Sequence, residues 1–323
     1  MPRRVTSRFS TANLGPNVDT ATAARRGLEI RRVLVGTLVL NVLVAILKLV
    51  YGTLTHTLAL RADGFHSLTD GTSNVLGLVG VWWSVRPPDP KHPYGHERTE
   101  VLAASAVGAS LILVAWDVVR GAVQRIGGEA APPEPDWGSV VVLLLTLLIN
   151  VGVTRYESKK GKELRSSFLE SDAAHTRSDV LVTLGVLVAL GGMAFGYLWL
   201  DWVAACVIGV FILVTGVRVL SRNLDYLMDA AQVDERQIHA IVCRVAGVAG
   251  AHKIRTRGSP GAIRVDLHIQ IARHLNIVQA HEVTHWAIDA VKREVDGVRD
   301  VVVHTEPAAA DATYPELPTH MSP

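Results

Sequence analysis

Residues 58–84 read LALRADGFHSLTDGTSNVLGLVGVWWS, a run long and apolar enough to cross a membrane. Its first half nevertheless carries Asp63, His66 and Asp70, spaced three and four residues apart. That spacing places the three side chains on one face of a helix. Because an ionisable residue in a spanning helix costs about 2.5–3.5 kcal/mol on insertion scales, such residues usually face a cavity or a partner. The run therefore predicts a spanning helix with a functional inner face.

The same pattern, D-x-x-H-x-x-x-D, recurs at Asp172, His175 and Asp179 in the run 168–194. This recurrence weighs against the alternative in which each histidine only hydrogen-bonds to neighbours on its own helix. Two helices that each offer one imidazole and one carboxylate supply an N₂O₂ ligand set, which suits tetrahedral Zn²⁺ and also fits Co²⁺ or Cd²⁺. Asp63 and Asp172, at the starts of their helices, are either helix caps or groups that orient the ligands. The candidate ligands are His66, Asp70, His175 and Asp179.

The composition is that of a membrane protein. Mean hydropathy is +0.28, and charged residues make up 19% of the chain, below the ~25% usual in soluble domains. The 32 basic and 30 acidic residues nearly balance, which excludes a strongly basic nucleic-acid binder. Six runs are predicted to span the membrane: about 32–52, 58–84, 100–126, 137–156, 168–194 and 199–221.

Basic residues lie on one side of this predicted six-helix bundle. They precede the first helix, follow the second, and occur five times between residues 155 and 165. The connection at 127–136 is acidic, and the one at 195–201 has no Lys or Arg. The positive-inside rule therefore predicts a multi-pass protein of the cell membrane with both termini in the cytosol. We expect residues 1–30, which have no signal-peptide pattern, to form a disordered cytosolic tail before a transmembrane domain at 31–222.

Residues 223–306 predict a small soluble α+β domain. Asp234 is a candidate cap for a helix that ends near residue 245, and residues 262–271 alternate strictly between apolar and polar, as in a half-buried strand. A turn at 259–261 joins this strand to one at about 251–257, and a helix at 276–295 and a strand at 299–304 follow. The order α-β-β-α-β predicts a three-stranded sheet similar to small metallochaperone folds. The tail at 307–323 is expected to be disordered.

The paired HxxxD motifs on the second and fifth of six helices resemble the cation diffusion facilitator family. The segment LALRADGFHSLTD at 58–70, followed by HPYGH at 92–96, matches the family at its usual spacing, and the resemblance covers about 31–306. It implies a homodimer in the lipid membrane that is not an enzyme and exports divalent cations from the cytosol in exchange for protons. The His-Asp/His-Asp composition is similar to that of the zinc-preferring branch, with Co²⁺, Cd²⁺ and Fe²⁺ as further possible substrates.

The resemblance also implies cytosolic metal sites. It places one in the loop after the second helix, although solvated imidazoles in a Pro-rich turn remain the alternative there. The ligands of this loop would be Asp89, His92 and His96. It assigns Zn²⁺ binding in the soluble domain to His252, His268, His281, His304 and Glu306, the last standing where Asp is common in the family. Arg98 and Asp229 fall where the family has a charge pair that joins the third helix to the soluble domain.

Two other functions stay open at this point. In the first, the protein is a membrane-anchored zinc sensor whose helices only tether the soluble domain, although a tether needs no ionisable helix faces. The second rests on HEVTH at 281–285, the helical signature of zinc metalloproteases. A domain of this size leaves little room for a protease cleft, so we do not favour it.

Overall fold

The computed structural model describes residues 18–54, 58–126, 137–197 and 199–318. Within these ranges, the side chains at 18–24, 52, 58–66, 69–70, 125–126, 139, 189, 193–194 and 201 are not described. The first part of the chain forms six long helices: α1 (Val18–Leu54), α2 (Leu58–Ser84), α3 (Arg98–Ile126), α4 (Trp137–Leu164), α5 (Ser167–Ala194) and α6 (Trp199–Leu227).

Five of these helices, in the part of the chain that is described, are long and apolar enough to cross a membrane. The exception is α2, whose centre holds polar residues such as Asp70 and Asn74. α1 begins at Val18, so the expectation of a disordered tail at 1–30 is wrong for residues 18–30. Alanines at 21, 23 and 24 favour helix formation there and extend the spanning helix toward the N-terminus. Residues 1–17 lie outside the described residues.

Small residues allow the helices to approach closely. A Cβ added at Gly108 of α3 would stand 2.9 Å from the Leu220 backbone nitrogen of α6, and one at Gly77 of α2 would stand 2.1 Å from the Phe168 ring of α5. Inside a membrane the hydrophobic effect does not drive helices together, because lipid is as apolar as the helix surface. Close van der Waals packing is therefore a main source of helix association. Phe168 is fully buried with residues of α1, α2 and α3. α2 and α5 therefore lie in direct contact.

The soluble domain has the predicted order of elements: α7 (Glu235–Val242), β1 (Val248–Ser259), β2 (Ala262–Ile271), α8 (Ile277–Glu294) and β3 (Val298–Pro307). β2 is the central strand, antiparallel to β1 and parallel to β3. Asp234 caps α7 by accepting a hydrogen bond from the Arg236 N–H, as predicted. Asn276 and Gln279 form a capping box at the start of α8. The α+β prediction is confirmed.

The core of this domain follows from the alternation in β2. Val265, Leu267 and Ile269 are buried and pack against Val283 and Val291 of α8. The polar residues between them are left on the opposite face of the sheet, where His268 lies. The pattern thus fixes which face of the sheet can carry ligands.

The segment after β3 is ordered as far as it is described, so the expectation of a disordered tail is wrong for residues 307–318. The Ala308 N–H donates to the Ile271 carbonyl at 2.8 Å, and the Gly247 N–H donates to the Pro315 carbonyl at 3.0 Å. Leu317 packs against the apolar core. Backbone hydrogen bonds and one apolar anchor hold a segment that has no helix or strand of its own. Residues 319–323 lie outside the described residues.

Candidate metal sites

A small cavity lies between α1, α2, α4 and α5. It has a volume of about 50 Å³, enough for an ion or a few water molecules. α5 contributes Asp172, His175 and Asp179 to its wall, and Asp172 and His175 are almost fully buried. α1 contributes Lys48, whose ammonium group donates to the Ser67 hydroxyl of α2 at 2.9 Å. The cavity is therefore lined by acidic, basic and imidazole groups inside the helical domain.

Half of the predicted membrane site is described. His175 and Asp179 line this cavity together. His66 and Asp70 belong to α2, whose backbone is helical at both positions, but their side chains and that of Asp63 lie outside the described residues. Ser67, which follows His66, lines the cavity. The structure thus brings two predicted ligands into one cavity and places α2 beside it.

Asp172 is held by α2. Its carboxylate accepts hydrogen bonds from Asn74 Nδ2 at 3.0 Å and from Ser73 Oγ at 3.5 Å. The alternative in which Asp172 caps its helix is wrong, because α5 begins five residues earlier and the Ser166 hydroxyl accepts from the Leu169 N–H at 3.2 Å. Asp172 is instead a buried link between the two helices that carry the HxxxD motifs.

Glu157 of α4 is a buried carboxylate that the sequence analysis missed. It is fully buried, and Thr176 of α5 donates to its Oε2 at 3.3 Å. In the sequence Glu157 directly follows the predicted fourth span at 137–156, where charged residues are expected at a helix end, so no signal marked it as buried. α4 continues to Leu164, which brings Glu157 inside the bundle.

The loop between α2 and α3 gathers its three predicted ligands. His92 Nδ1 lies 3.1 Å from Asp89 Oδ1, and His96 Nε2 lies 3.3 Å from Asp89 Oδ2 and 3.1 Å from His92 Nδ1. Asp89 Oδ1 also accepts hydrogen bonds from the backbone N–H groups of His92 and Lys91. These hydrogen bonds lower the pKa of the Asp89 carboxyl, and the one from His92 has the largest effect. A deprotonated carboxylate beside two imidazoles is able to bind a divalent cation.

The sheet of the soluble domain holds a second group of ligands. On the central strand, His268 is paired with His252 of β1 on one side and with His304 of β3 on the other. Glu306 lies between them: its Oε1 is 2.8 Å from His268 Nδ1 and its Oε2 is 3.2 Å from His252 Nε2. His304 Nε2 is 3.9 Å from Glu306 Oε1. Four of the five predicted ligands of this domain therefore stand on one face of the sheet.

Charge and hydrogen bonding favour the deprotonated form of the Glu306 carboxyl group. Its pKa lies below the usual value, first because His268 donates a hydrogen bond to it and then because of the nearby charges of His252, His268 and Lys253. Lys253 sits at an irregularity in β1 and has a positive φ of 51°. Strand irregularities of this kind redirect side chains at functional sites.

His281 stands apart from these ligands. It lies on α8 with its Nε2 3.2 Å from His285 Nε2, and among the described residues the metal-competent cluster of this domain is formed by His252, His268 and Glu306. The metalloprotease interpretation would require Glu306 as a third ligand beside the two α8 histidines. Glu306 instead accepts from His268 in the sheet.

Among the described residues, three ion pairs join the helical part of the chain to the segment after α6. The predicted pair is formed: an Arg98 Nη donates to the Asp229 carboxylate, and the other Nη donates to the Leu227 carbonyl at 3.3 Å. Arg165 pairs with Asp296 at 2.6 Å. The third pair, Arg264–Glu97, measures 3.0 Å.

Family models match nearly the whole chain. The cation efflux transmembrane domain matches residues 34–228, and the cytoplasmic domain of cation efflux proteins matches residues 230–308. The chain belongs to the cation diffusion facilitator family. Its two matched domains coincide with the helical part and the α+β part of the structure, so this cation diffusion facilitator is a multi-pass membrane protein that exports divalent metal cations.

Its relatives include transporters, and the name of one of them gives a metal. The chain is 31% identical to an uncharacterized transporter of Methanocaldococcus jannaschii, over 84% of this chain and 95% of that one. It is 29% identical to the manganese efflux system protein MneS of Bacillus subtilis, over 81% and 90% of the two chains. It is also 29% identical to the cation-efflux pump FieF of Citrobacter koseri, over 88% and 94%. A mutant of the MamM C-terminal domain is 25% identical over 26% of this chain and 93% of that one, with a TM-score of 0.23.

Proposed function

We propose that this cation diffusion facilitator exports Zn²⁺ from the cytosol in exchange for protons, and that His66, Asp70, His175 and Asp179 bind the transported ion. The observation that supports this site is the register between α2 and α5. Phe168 lies against Gly77, and Asp172 accepts from Ser73 and Asn74. A step of four residues along α5 thus corresponds to a step of three to four residues back along α2, as in antiparallel helices.

This register continues toward the motifs. Both helices rise by 1.5 Å per residue, so the same steps, continued, would bring position 175 opposite 70 and position 179 opposite 66. Each pair would then combine one imidazole with one carboxylate across the helix contact. His175 and Asp179 line the cavity at this level, and Ser67 of α2 lines it from the other side. The two HxxxD motifs would thus provide the N₂O₂ set from two facing helices.

The ligand types favour zinc. Two imidazoles and two carboxylates suit a tetrahedral borderline cation, whereas sites for Mn²⁺ are richer in oxygen ligands. The name of MneS gives manganese and that of FieF gives only a cation, so the relatives leave the metal of this chain open. Co²⁺, Cd²⁺ and Fe²⁺ accept the same ligands and are the competing substrates.

Proton coupling follows from the same ligands. Imidazole and carboxylate groups bind a metal only when they are deprotonated, so metal binding releases protons. An unperturbed imidazole has a pKa of about 6.5 and changes charge in the range spanned by cytosolic and external pH. A bundle that exposes this site to each side in turn would exchange metal for protons by mass action.

We place both termini in the cytosol of a homodimer in the cell membrane. The basic loops support this orientation by the positive-inside rule, and the match to the cytoplasmic domain of cation efflux proteins agrees with it. The loop site and the sheet site would then bind cytosolic Zn²⁺. The ion pairs from Arg98, Arg165 and Arg264 give the soluble domain contacts through which metal binding could act on the helices.

The test is metal flux into sealed proteoliposomes that contain a metal-sensitive dye, with Zn²⁺, Co²⁺, Cd²⁺, Mn²⁺ and Fe²⁺ compared at equal concentration. We expect Zn²⁺ to be transported fastest and Asp70→Ala and Asp179→Ala to abolish the flux. Fast Mn²⁺ flux with slow Zn²⁺ flux would refute the metal assignment. Equal flux in wild type and both variants would refute the site. No flux of any metal would favour the tethered zinc sensor.

A further inference from the structure

A second, larger cavity lies where the soluble domain meets the ends of α1, α2 and α3. Its volume is about 350 Å³, within the range of small-molecule binding pockets. Its wall comes from both domains, with Ser84 to Pro88 on the helical side and the β1–β2 turn on the other. The charged residues that line it are Arg26, Arg86, Arg264, Arg299, Glu97 and Glu100.

The two carboxylates of this cavity already have basic partners. Glu100 pairs with Arg26 at 3.1 Å, and Glu97 pairs with Arg264 at 3.0 Å. Among the described residues that line the cavity, the four guanidinium groups therefore exceed the two carboxylates by two positive charges. Such a lining favours an anion, and guanidinium groups bind phosphate oxygens through two parallel hydrogen bonds.

Arg86 and the two tryptophans next to it indicate where the cavity lies relative to the membrane surface. The Arg86 guanidinium lies 4.2 Å from the ring centroid of Trp82 and 4.6 Å from that of Trp83. Both rings are exposed, at 46% and 42%, in the last turn of α2. Exposed tryptophans at the end of a spanning helix sit at the level of the lipid headgroups. Arg86 is therefore at the height of the phosphates of the surrounding bilayer.

The opposite wall of the cavity is carried by the soluble domain. Arg299 of β3 donates its Nε–H to the Gly261 carbonyl at 3.2 Å, which holds the side chain against the β1–β2 turn. Gly261 also lies beside Arg26, since a Cβ there would stand 3.1 Å from the guanidinium carbon. An anion in the cavity would thus contact basic groups from both domains.

We propose that this cavity binds the headgroup phosphate of an anionic phospholipid, with Arg86 on the membrane side and Arg299 on the soluble-domain side. Basic pockets at the ends of spanning helices recognise anionic headgroups in this way. The bound lipid links the soluble domain to α2 beside the three ion pairs that already join the domains. The proposal concerns lipid binding and is independent of the transported metal.

The experiment counts bound lipid. The full-length protein is incorporated into phosphatidylcholine nanodiscs that contain increasing phosphatidylglycerol, and the lipids that remain bound after release are identified by native mass spectrometry. We expect Arg86→Gln and Arg299→Gln each to weaken phosphatidylglycerol retention by about tenfold or more, since each removes a hydrogen bond between charged groups inside the cavity. Arg32→Gln is the matched control, because Arg32 is exposed on α1 outside the cavity wall and should retain the lipid as wild type does.

A conservative variant and a folding check separate loss of charge from loss of structure. Arg86→Lys keeps the positive charge and should retain most of the lipid, and thermal unfolding checks that every variant is folded. Equal retention of phosphatidylglycerol in wild type and both glutamine variants, or equal losses in these and in Arg32→Gln, would overturn the proposal. Displacement of the lipid by millimolar glycerol phosphate or inorganic phosphate would also overturn it, because the cavity would then serve a soluble anion.

Discussion

Neutralising Asp229 tests whether the soluble domain acts on the helices through its ion pair with Arg98. Asp229 has a positive φ of 61°, a conformation that Asn tolerates and most residues do not. Asp229→Asn therefore removes the charge without adding backbone strain. The side chains of the pair are 54% and 42% exposed, so the pair contributes only about 0.2–1 kcal/mol to stability. The melting temperature should fall by less than about 4 °C.

The effect on transport should be much larger than the effect on stability. If the pair couples the domains, we expect the Zn²⁺ flux to fall by about fivefold or more, with Zn²⁺ affinity at the membrane site unchanged. The matched control is Glu294→Gln, which breaks the Arg244–Glu294 pair inside the soluble domain, where the side chains are 65% and 40% exposed. Flux is measured in proteoliposomes and melting in the same detergent for all variants. A wild-type flux in Asp229→Asn, or an equal loss in the control, would refute the reasoning.

Three further predictions concern buried and cytosolic ligands. Asn74→Ala removes the donor 3.0 Å from the buried Asp172 carboxylate and should lower the free energy of unfolding by about 1–3 kcal/mol. Denaturant titration measures this change, and an unchanged free energy of unfolding would contradict the contact. Glu306→Gln should weaken Zn²⁺ binding at the sheet by at least about tenfold in equilibrium titration, whereas His285→Ala should leave it unchanged. A loss of Zn²⁺ binding in His285→Ala and none in Glu306→Gln would place the site on α8. Because the pKa of Glu306 is lowered in the folded protein, its stabilising effect is present above the ordinary value of 4.5 and is lost as pH falls through the folded pKa. Thermal unfolding below about pH 5 should therefore depend less on pH in Glu306→Gln than in wild type, and equal slopes would contradict this.

The predictable parts of the fold are those whose sequence has a periodic pattern of apolar and polar residues. Long, mostly apolar runs predicted the six helices, including α2 with its polar centre, and the alternation at 262–271 predicted the central strand and its polar face. Since His268 lies on that face and its neighbours in the sheet are His252 and His304, the strand pattern and the family resemblance together predicted the histidine cluster that the sheet forms. Metal binding by this cluster stays a prediction. The spacing of Asp89, His92 and His96 and the family resemblance likewise predicted that these side chains would lie together in the loop, as they do.

The errors have a common physical cause, which is that tertiary contacts are invisible in a single sequence. The segment at 307–318 has no periodicity, and it is ordered by backbone hydrogen bonds to the sheet and by Leu317 on the core. Glu157 is buried because of the way α4 is turned toward α5, and no pattern within α4 specifies that rotation. The assignment of His281 to the sheet site rests on the resemblance alone and stays a prediction; in the structure its imidazole contacts that of His285.

The central claim is that the two HxxxD motifs form one site that exchanges Zn²⁺ for protons. The most direct test is proton movement in sealed proteoliposomes with an internal pH-sensitive dye after a pulse of Zn²⁺, with wild type compared with His175→Ala and Asp179→Ala. We predict zinc-dependent proton movement opposite to the metal in wild type and none in either variant. Zinc flux without proton movement in wild type, or equal proton movement in all three proteins, would contradict the claim.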